Sequence, residues 1–219
     1  MRNTVESEEL HCRRCHGLCD SRTQIVPPDL PEWGRPCRLL VIGEAPGADE
    51  DRQGKGFVGR SGRTLHGLLE EHGVFRGVHY GCANIVRCRP PGNRRPTAEE
   101  VSNCLPFLEN ILRKARPEVV LLVGASATTA FCGDGSLSDR MADLERSGYR
   151  ADKGLCHAAL SEVLEGQDAP RVFAMPHTSP LAWNRNAPDG RKWSVWGQEV
   201  VVSLVSVLRK RGGGFGAAW

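Results

Sequence analysis

Four residues in the loops of this chain carry side chains that could act on a flat ring attached to a sugar. The amide of Asn84 offers a donor and an acceptor together, so it can pair with a base edge that has a carbonyl beside a ring NH. Phe57 could stack on such a ring, and Glu44 could orient a water or stabilise positive charge on the sugar. His177 is an imidazole held between two prolines at the end of an apolar run.

Each of these residues also has a purely structural explanation. Asn84 could form a turn at the end of a strand, Phe57 could belong to the core, and Glu44 could cap backbone amides in its loop. A lone histidine such as His177 is more often structural than catalytic. The four residues therefore indicate a substrate pocket only if they meet in the fold.

Several of the nine cysteines have spacings that are typical of metal ligands. Cys12 and Cys15 form a C-x2-C pair, which can present two thiolates from a tight turn. Two thiolates do not complete a site, and Cys19 and the two flanking histidines are near enough to compete. Cys88 and Cys104 lie on a later loop and the helix after it, which can fold back on each other. Thiolate chemistry alone leaves zinc possible.

The candidate pocket residues lie in loops at the ends of apolar runs. The chain has four such runs, which we predict to be buried β-strands. The runs lie at residues 38–42, 78–86, 118–124 and 171–176. Helical patterns lie between them, so right-handed crossovers should join the strands into a mostly parallel sheet. Open sheets of this kind bind ligands beyond the carboxyl ends of their strands. The loops that start at Gly43, Asn84, Gly124 and His177 should therefore converge on one crevice.

The loop between the first strand and the first helix is long and Gly-rich. Residues 43–62 contain six glycines, and neither GxGxxG nor GxxxxGK[ST] fits at the strand end. Loops of this length inside a compact domain are usually functional. A helix should follow from Ser61, as its N-cap, to a stop at Gly73.

Two further helices and a single domain are predicted. Thr97 and Glu100 form a capping box for a helix that ends near residue 115, and residues 197–211 form an amphipathic helix. We expect one domain over residues 1–211, with a cysteine-bearing N-terminal arm, and a disordered tail at 212–219. Residues 134–168 are assigned to no element.

The overall composition excludes several classes of protein. With a formal net charge of +3 over 219 residues, the chain is not a strongly basic binder, so a nucleic-acid role would depend on local arginine patches. The N-terminus is polar and acidic, and no apolar run approaches the ~20 residues of a membrane span. We expect a cytoplasmic, nucleoid-associated protein in which nine cysteines, an odd number, form no disulfide framework.

Several motifs, taken in order, resemble those of the family 4 uracil-DNA glycosylases. They are GEAPG at 43–47, the ED and G of EDRQG at 50–54, FVG at 57–59, NIVRCRPPGNRRP at 84–96 and His-x-Ser-Pro at 177–180, with the four-cysteine pattern. The resemblance covers most of the chain and implies a three-layer α/β/α fold with a short, mostly parallel central sheet. It also implies hydrolysis of the N-glycosidic bond of uracil in single- or double-stranded DNA. Nothing in the sequence requires more than a monomer.

The same resemblance implies a four-iron, four-sulfur (4Fe–4S) cluster with a structural role. By this match its ligands are Cys12, Cys15, Cys88 and Cys104, and Cys19 is the one substitute to consider. The cluster would tie the N-terminal arm to the Arg-rich loop beside the DNA path.

For the reaction, the resemblance implies that Phe57 stacks on uracil while Asn84 reads its 4-carbonyl and the adjacent NH. Backbone groups from Gly43 through Ala45 to Gly47 would complete the pocket. His177 would donate to the 2-carbonyl oxygen, where negative charge develops, and Glu44 would hold the water or offset charge on the sugar. The side chains expected to contact DNA are Arg87, Arg89 and Arg185 at phosphates, and Leu181 or Trp183 as a wedge in the duplex.

Two positions depart from the family pattern. Gly56 stands where proline often precedes the phenylalanine, and Thr178 stands where proline commonly follows the histidine. Both lie in pocket motifs, so hypoxanthine, xanthine or ethenocytosine could also be accepted. The competing interpretations are a non-catalytic DNA-binding damage sensor on the same fold and an iron–sulfur electron-transfer protein.

Overall fold

The computed structural model of the protein describes residues 10–31 and 37–212. Within these ranges the centre is a four-stranded sheet in the order β2-β1-β3-β4, and every pair of neighbouring strands is parallel. The strands are β1 (Leu39–Gly43), β2 (Tyr80–Asn84), β3 (Val119–Val123) and β4 (Arg171–Met175). Each lies within or beside a predicted run, and the predicted α/β class is confirmed.

Helices cover both faces of this sheet. They are α1 (His16–Ser21), α2 (Ala48–Gln53), α3 (Arg60–Glu70), α4 (Ala98–Ala115), α5 (Ala125–Cys132), α6 (Leu137–Arg146), α7 (Pro180–Trp183) and α8 (Trp193–Gly212). Leu40 and Ile42 of β1 face a core formed with α4, α5 and α6, whereas Leu39 and Val41 face a second core formed with α3 and α8. Because successive strand residues point to opposite faces, a strand covered on both sides must be apolar throughout, as β1 is.

The helix boundaries confirm one capping prediction and correct another. Thr97 accepts a hydrogen bond from the Glu100 amide, and the Glu100 carboxylate accepts one from the Thr97 amide, so the predicted capping box is present. Helix α3 begins after Gly59, so Ser61 lies inside the helix and is not its N-cap. The helix ends at Glu70, three residues before the predicted stop. The pattern of apolar residues was correct there, but the cap was misassigned.

Two regions that the sequence left open are ordered. The long loop after β1 contains the short helix α2, which is acidic in its first turn. Residues 134–168 contain α6 and two 3₁₀ turns at Ala158–Leu160 and Glu162–Leu164. Met141 and Leu160 in this region are buried in the core on the α4 side of the sheet. The segment therefore helps to cover that face.

An extended segment at residues 23–31 runs along the outer edge of β2. Asp29 and Cys82 exchange two backbone hydrogen bonds of 2.8 and 2.7 Å in an isolated antiparallel bridge. The buried carboxylate of Asp51 accepts hydrogen bonds from the amides of Thr23 and Gln24. The segment thus joins the sheet edge to α2.

Two other observations bear on the sequence predictions. None of the helices in the described ranges is long and apolar enough to cross a lipid bilayer. Apart from Gly212, the predicted disordered tail lies outside the described residues.

Candidate active site

A cleft of about 500 Å³ opens at the carboxyl edge of the sheet, between the loops that follow β1, β2 and β4. The residues predicted to bind or cleave the substrate all line it: Gly43, Glu44, Ala45, Gly47, Phe57, Asn84 and His177. The fold therefore brings together residues that are up to 134 positions apart in sequence.

Gly43, the last residue of β1, lets the Asn84 amide and the Phe57 ring approach the same point. A methyl group at Gly43 would lie 2.6 Å from Asn84 Oδ1 and 2.7 Å from Phe57 Cζ, closer than such atoms can pack. A glycine is needed where other groups approach the backbone this closely. The hydrogen-bonding edge of Asn84 and the face of Phe57 can therefore meet one ligand.

Phe57 has an unusual backbone conformation. Its φ of 57° lies in the left-handed region, which a bulky residue rarely adopts and which costs on the order of 1–3 kcal/mol. Its carbonyl oxygen packs against Gly62, where a methyl group would lie 2.1 Å away. The sequence gives no sign of this conformation. The Phe57 ring reaches the cleft because the turn that contains Phe57 has this strained backbone conformation.

His177 lies in the loop after β4 with its ring open to the cleft. Its Nδ1 accepts a hydrogen bond of 3.1 Å from the amide of Ser179, so a neutral ring carries its proton on Nε2. The protein around the ring lowers the pKa of His177 by desolvation, and the negative charge of Glu44 partly opposes this. Gly124, with a φ of 89°, lies against the other side of the ring. His177 is thus presented as a neutral Nε2–H donor.

The carboxylate of Glu44 accepts a hydrogen bond from the hydroxyl of Ser126, the second residue of α5. The role of capping loop amides belongs instead to Glu50, which accepts hydrogen bonds from Gly47 and Gly59 at 3.1 and 2.7 Å. The sequence analysis missed Ser126. Its only sign was a hydroxyl at the start of the helix that follows β3.

The two wedge candidates differ sharply in exposure. Leu181, on the short helix α7, is 78% exposed. Trp183 is partly buried and packs against Gly197, where a methyl group would lie 2.4 Å from its ring. Trp183 is therefore the less accessible of the two wedge candidates, because its ring packs against α8. Leu181 remains available.

The arginines predicted to contact phosphate also differ. Arg87 is only 5% exposed, and its guanidinium stacks on the Phe107 ring at 4.1 Å, which corrects the prediction that it meets a phosphate. Arg89 is partly exposed and donates to Asn93 at 2.7 Å, and Arg185 is exposed. Arg60, at the start of α3, is an exposed cation on the cleft wall that the sequence analysis missed.

The four predicted cluster cysteines lie near one another, between the N-terminal arm, the loop after β2 and α4. Burial raises the pKa values of the Cys15, Cys88 and Cys104 thiols, and repulsion among the sulfurs, including that of Cys12, raises them further. In the described part of the chain, no three His, Cys, Asp or Glu side chains are arranged to hold a single metal ion. Cys19 donates to the backbone carbonyl of Cys12 at 3.9 Å.

Three groups donate hydrogen bonds to these sulfurs. Arg22 Nη1 lies 2.8 Å from Cys88 Sγ, the Arg87 amide lies 3.4 Å from Cys104 Sγ, and Asn103 Nδ2 lies 3.6 Å from Cys15 Sγ. Such donors stabilise negative charge on sulfur. These donors partly offset the burial and repulsion that raise the thiol pKa values.

Known proteins match this chain over most of its length. A model of the uracil DNA glycosylase superfamily matches residues 32–197. A type-4 uracil-DNA glycosylase of Thermotoga maritima is 41% identical over 111 residues, which are 51% of this chain and 56% of the relative. The type-4 enzyme of Archaeoglobus fulgidus is 39% identical over 56% of this chain and 59% of its own length. The chain thus spans about half the length of these type-4 relatives.

A longer alignment joins the chain to another member of the superfamily. A type-5 uracil-DNA glycosylase of Pyrobaculum aerophilum is 35% identical over 231 aligned positions, which cover 92% of this chain and 88% of the relative. These matches confirm the resemblance carried by the motifs. The chain belongs to the uracil DNA glycosylase superfamily.

Proposed function

We propose that this protein is a DNA-repair enzyme that hydrolyses the N-glycosidic bond of uracil in DNA and leaves an abasic site. The observation that carries the proposal is that Asn84, Phe57, His177 and Glu44 line one cleft at the carboxyl edge of the sheet. The names of the type-4 and type-5 relatives support the same activity. A DNA-binding protein without catalysis has no need of the side chains of His177 and Glu44.

The cleft suits a base that has been turned out of the duplex. Asn84 Nδ2 would donate to the 4-carbonyl of uracil and Oδ1 would accept from the ring NH beside it. Cytosine presents an amino donor and an unprotonated nitrogen at these positions, so the same amide would face two mismatched groups. Phe57 would stack on the ring, a contact worth about 1–3 kcal/mol per base.

The reaction separates charge as the glycosidic bond breaks. His177 Nε2–H would donate to the 2-carbonyl oxygen, where negative charge collects as uracil leaves. Glu44, oriented by Ser126, would hold the attacking water or offset positive charge on the sugar. Because His177 is neutral, it can stabilise the departing anion without repelling the sugar cation.

The exposed residues around the cleft supply candidate contacts to DNA. Leu181 would fill the gap left by the extruded base, and Arg60, Arg89 and Arg185 would contact phosphates. We propose action as a monomer, because the four residues assigned to the reaction meet within one chain. A DNA substrate and reduced thiols are both consistent with the cytoplasm and the nucleoid.

A labelled oligonucleotide with one uracil tests the activity directly. We expect alkali-labile strand breaks at the uracil, both opposite guanine and in single-stranded DNA, and none in matched oligonucleotides that carry cytosine or thymine. Absence of breaks at uracil would favour the damage-sensor interpretation on the same fold.

We also propose that Cys12, Cys15, Cys88 and Cys104 hold a 4Fe–4S cluster. Four soft thiols, three of which have a donor aimed at their sulfur, fit this group. Zinc requires its ligands to converge on one point, whereas the thiolates of a 4Fe–4S cluster bind different irons, so the lack of a single-ion arrangement in the described residues does not oppose it. When bound, the cluster would tie the N-terminal arm to the loop after β2.

Arg22 provides a test of the cluster that does not depend on activity. The Arg22→Gln variant should lose iron about 10-fold faster than the native protein, because it removes a charge from Cys88 Sγ and a donor from the Cys12 carbonyl. Iron content and visible absorbance would be followed during incubation with a chelator. Arg52→Gln, at an exposed arginine of α2, is the matched control. Equal iron loss in both variants would contradict the role of Arg22.

We further propose that Gly56 influences which bases are accepted, because it lies beside the Asn84 amide. Thr178, the other departure, also lines the cleft, but it is only 2% exposed and its hydroxyl is held by the Ser61 carbonyl at 2.7 Å. A methyl group at Gly56 would lie 3.8 Å from Asn84 Nδ2, in ordinary contact. Gly56→Ala should therefore fill space beside the pairing amide.

For Gly56→Ala we expect excision of hypoxanthine to fall about 10-fold relative to uracil, since one methyl group can discriminate by this much. Initial rates on paired uracil and hypoxanthine oligonucleotides would give the ratio. If the ratio of the uracil rate to the hypoxanthine rate is the same in Gly56→Ala and in the native protein, the space beside Asn84 does not limit the size of the accepted base.

A further inference from the structure

A cluster of polar side chains lies behind Phe57, on the side away from the cleft. It consists of His66 on α3, Arg76 in the loop before β2, Tyr80 at the start of β2 and Asp29 in the extended segment. None of these residues belongs to the motifs that carry the family resemblance. We call them the Phe57 support.

Side chains of the Phe57 support contact the backbone of the turn that contains Phe57. His66 Nε2 lies 2.9 Å from the Phe57 carbonyl oxygen, and Arg76 Nη1 lies 3.3 Å from the same atom. Arg76 Nη2 donates to the Gly56 carbonyl at 2.6 Å. Two successive carbonyls of a strained turn are therefore fixed by two side chains from elsewhere in the fold.

The other members of the support fix these two side chains in turn. The buried hydroxyl of Tyr80 lies 2.6 Å from His66 Nδ1, and the Asp29 carboxylate accepts from Arg76 Nε at 2.7 Å. Arg76 Nη1 also lies 2.9 Å from His66 Nε2, so the guanidinium can donate to this ring nitrogen as well as to the Phe57 carbonyl, and the tautomer of His66 decides which nitrogen donates. His66 and Arg76 are thus each held by a second partner within the support.

The ring of His66 is suited to remain neutral in this role. Burial lowers the pKa of His66; the hydrogen bond to Phe57 raises it, and the charge of Arg76 lowers it further. Glu70 and Asp29 act in the opposite direction to Arg76. The ring therefore carries no charge at neutral pH.

We propose that His66, Arg76, Tyr80 and Asp29 are positioning residues that hold Phe57 in its left-handed conformation and so set the plane on which the extruded base stacks. The inference rests on the proposed excision of uracil. Without the support, the turn would relax toward an unstrained φ, and the ring would leave its place beside Gly43. The support touches the base only through Phe57.

A double-mutant cycle tests this indirect action. In the native background, His66→Leu should lower the single-turnover rate of uracil excision by about 10- to 100-fold, as expected for a misplaced stacking group. In a Phe57→Ala background the same substitution should cost less than about 2-fold, because nothing remains for His66 to position. If the excision rate of the double variant falls by the product of the two single-variant losses, the proposal is overturned.

Two further variants separate positioning from general loss of structure. His66→Gln keeps an N–H donor near the Phe57 carbonyl and should recover activity to within about 3-fold of the native protein. His72→Leu, just beyond α3 and outside the support, is the matched control and should leave excision unchanged. If His66→Gln and His66→Leu have equal melting temperatures and His66→Gln excises uracil no faster, the proposal is also overturned.

Binding of free uracil, measured by calorimetry, gives a readout that needs no catalysis. His66→Leu should weaken this binding by about the factor lost in excision, and His72→Leu should not. If the native protein excises uracil and His66→Leu binds free uracil as tightly as the native protein does, the positioning role alone is overturned. Native protein that neither excises nor binds uracil would overturn the proposed function and this inference together.

Discussion

Uracil excision by the Asn84→Asp variant should fall by at least about 100-fold relative to the native protein. The two side chains have nearly the same shape, but a carboxylate cannot donate to the 4-carbonyl of uracil and repels its oxygen. Single-turnover rates on a single-stranded uracil oligonucleotide would measure the loss.

The cleft offers a second asparagine as a control. Asn93 lines the same cleft, and its Oδ1 accepts a hydrogen bond from Arg89, which an aspartate can also accept. Asn93→Asp should therefore retain most of the native activity. Iron content should stay the same in both variants, because neither position contacts a cysteine sulfur. Near-native excision by Asn84→Asp would remove the pairing role of this amide.

The His177→Leu variant should lose about 10²- to 10³-fold in the rate of the chemical step, the usual cost of removing one donor from a developing anion. Leucine fills a similar volume in the loop after β4 but offers no Nε2–H. Because the donor acts as uracil leaves, KM should change much less than the maximal rate. A variant with unchanged maximal rate and raised KM would instead assign His177 to substrate binding.

The pH dependence of the native protein follows from the same side chain. Desolvation lowers the pKa of His177, and Glu44 only partly opposes this, so the neutral donor persists below the usual titration range. The acid limb of the pH–rate profile should therefore be centred below pH ~6.5, where an ordinary imidazole would be half protonated. An acid limb centred at or above that pH would contradict a neutral donor.

The sequence predicted features that depend on local patterns. The four strands were found because parallel strands covered on both faces are apolar at every position, as β1 and β3 are. The box formed by Thr97 and Glu100 was found because both partners lie within one turn of the chain. The convergence of the loops after β1, β2 and β4 on one cleft then followed from the parallel topology.

The features that were missed depend on contacts between distant segments. Arg87 and Arg89 are two residues apart in one loop, and only the ring of Phe107 on α4 decides that the first is enclosed. The left-handed turn at Phe57 is held by His66 and Arg76. No residue near position 57 signals this, because the strain is balanced by groups that the fold supplies.

The extended segment at residues 23–31 also covers an edge of the sheet that would otherwise be open to pairing with another strand. β2 is the outermost strand on its side of the sheet, and an uncovered edge strand offers its backbone N–H and C=O groups to strands of other chains. The bridge between Asp29 and Cys82 occupies that edge. Since Arg22 and Thr23 anchor the same segment at Cys88 and Asp51, release of the arm would open the edge. Protection from edge-to-edge aggregation is therefore coupled to the sulfur site.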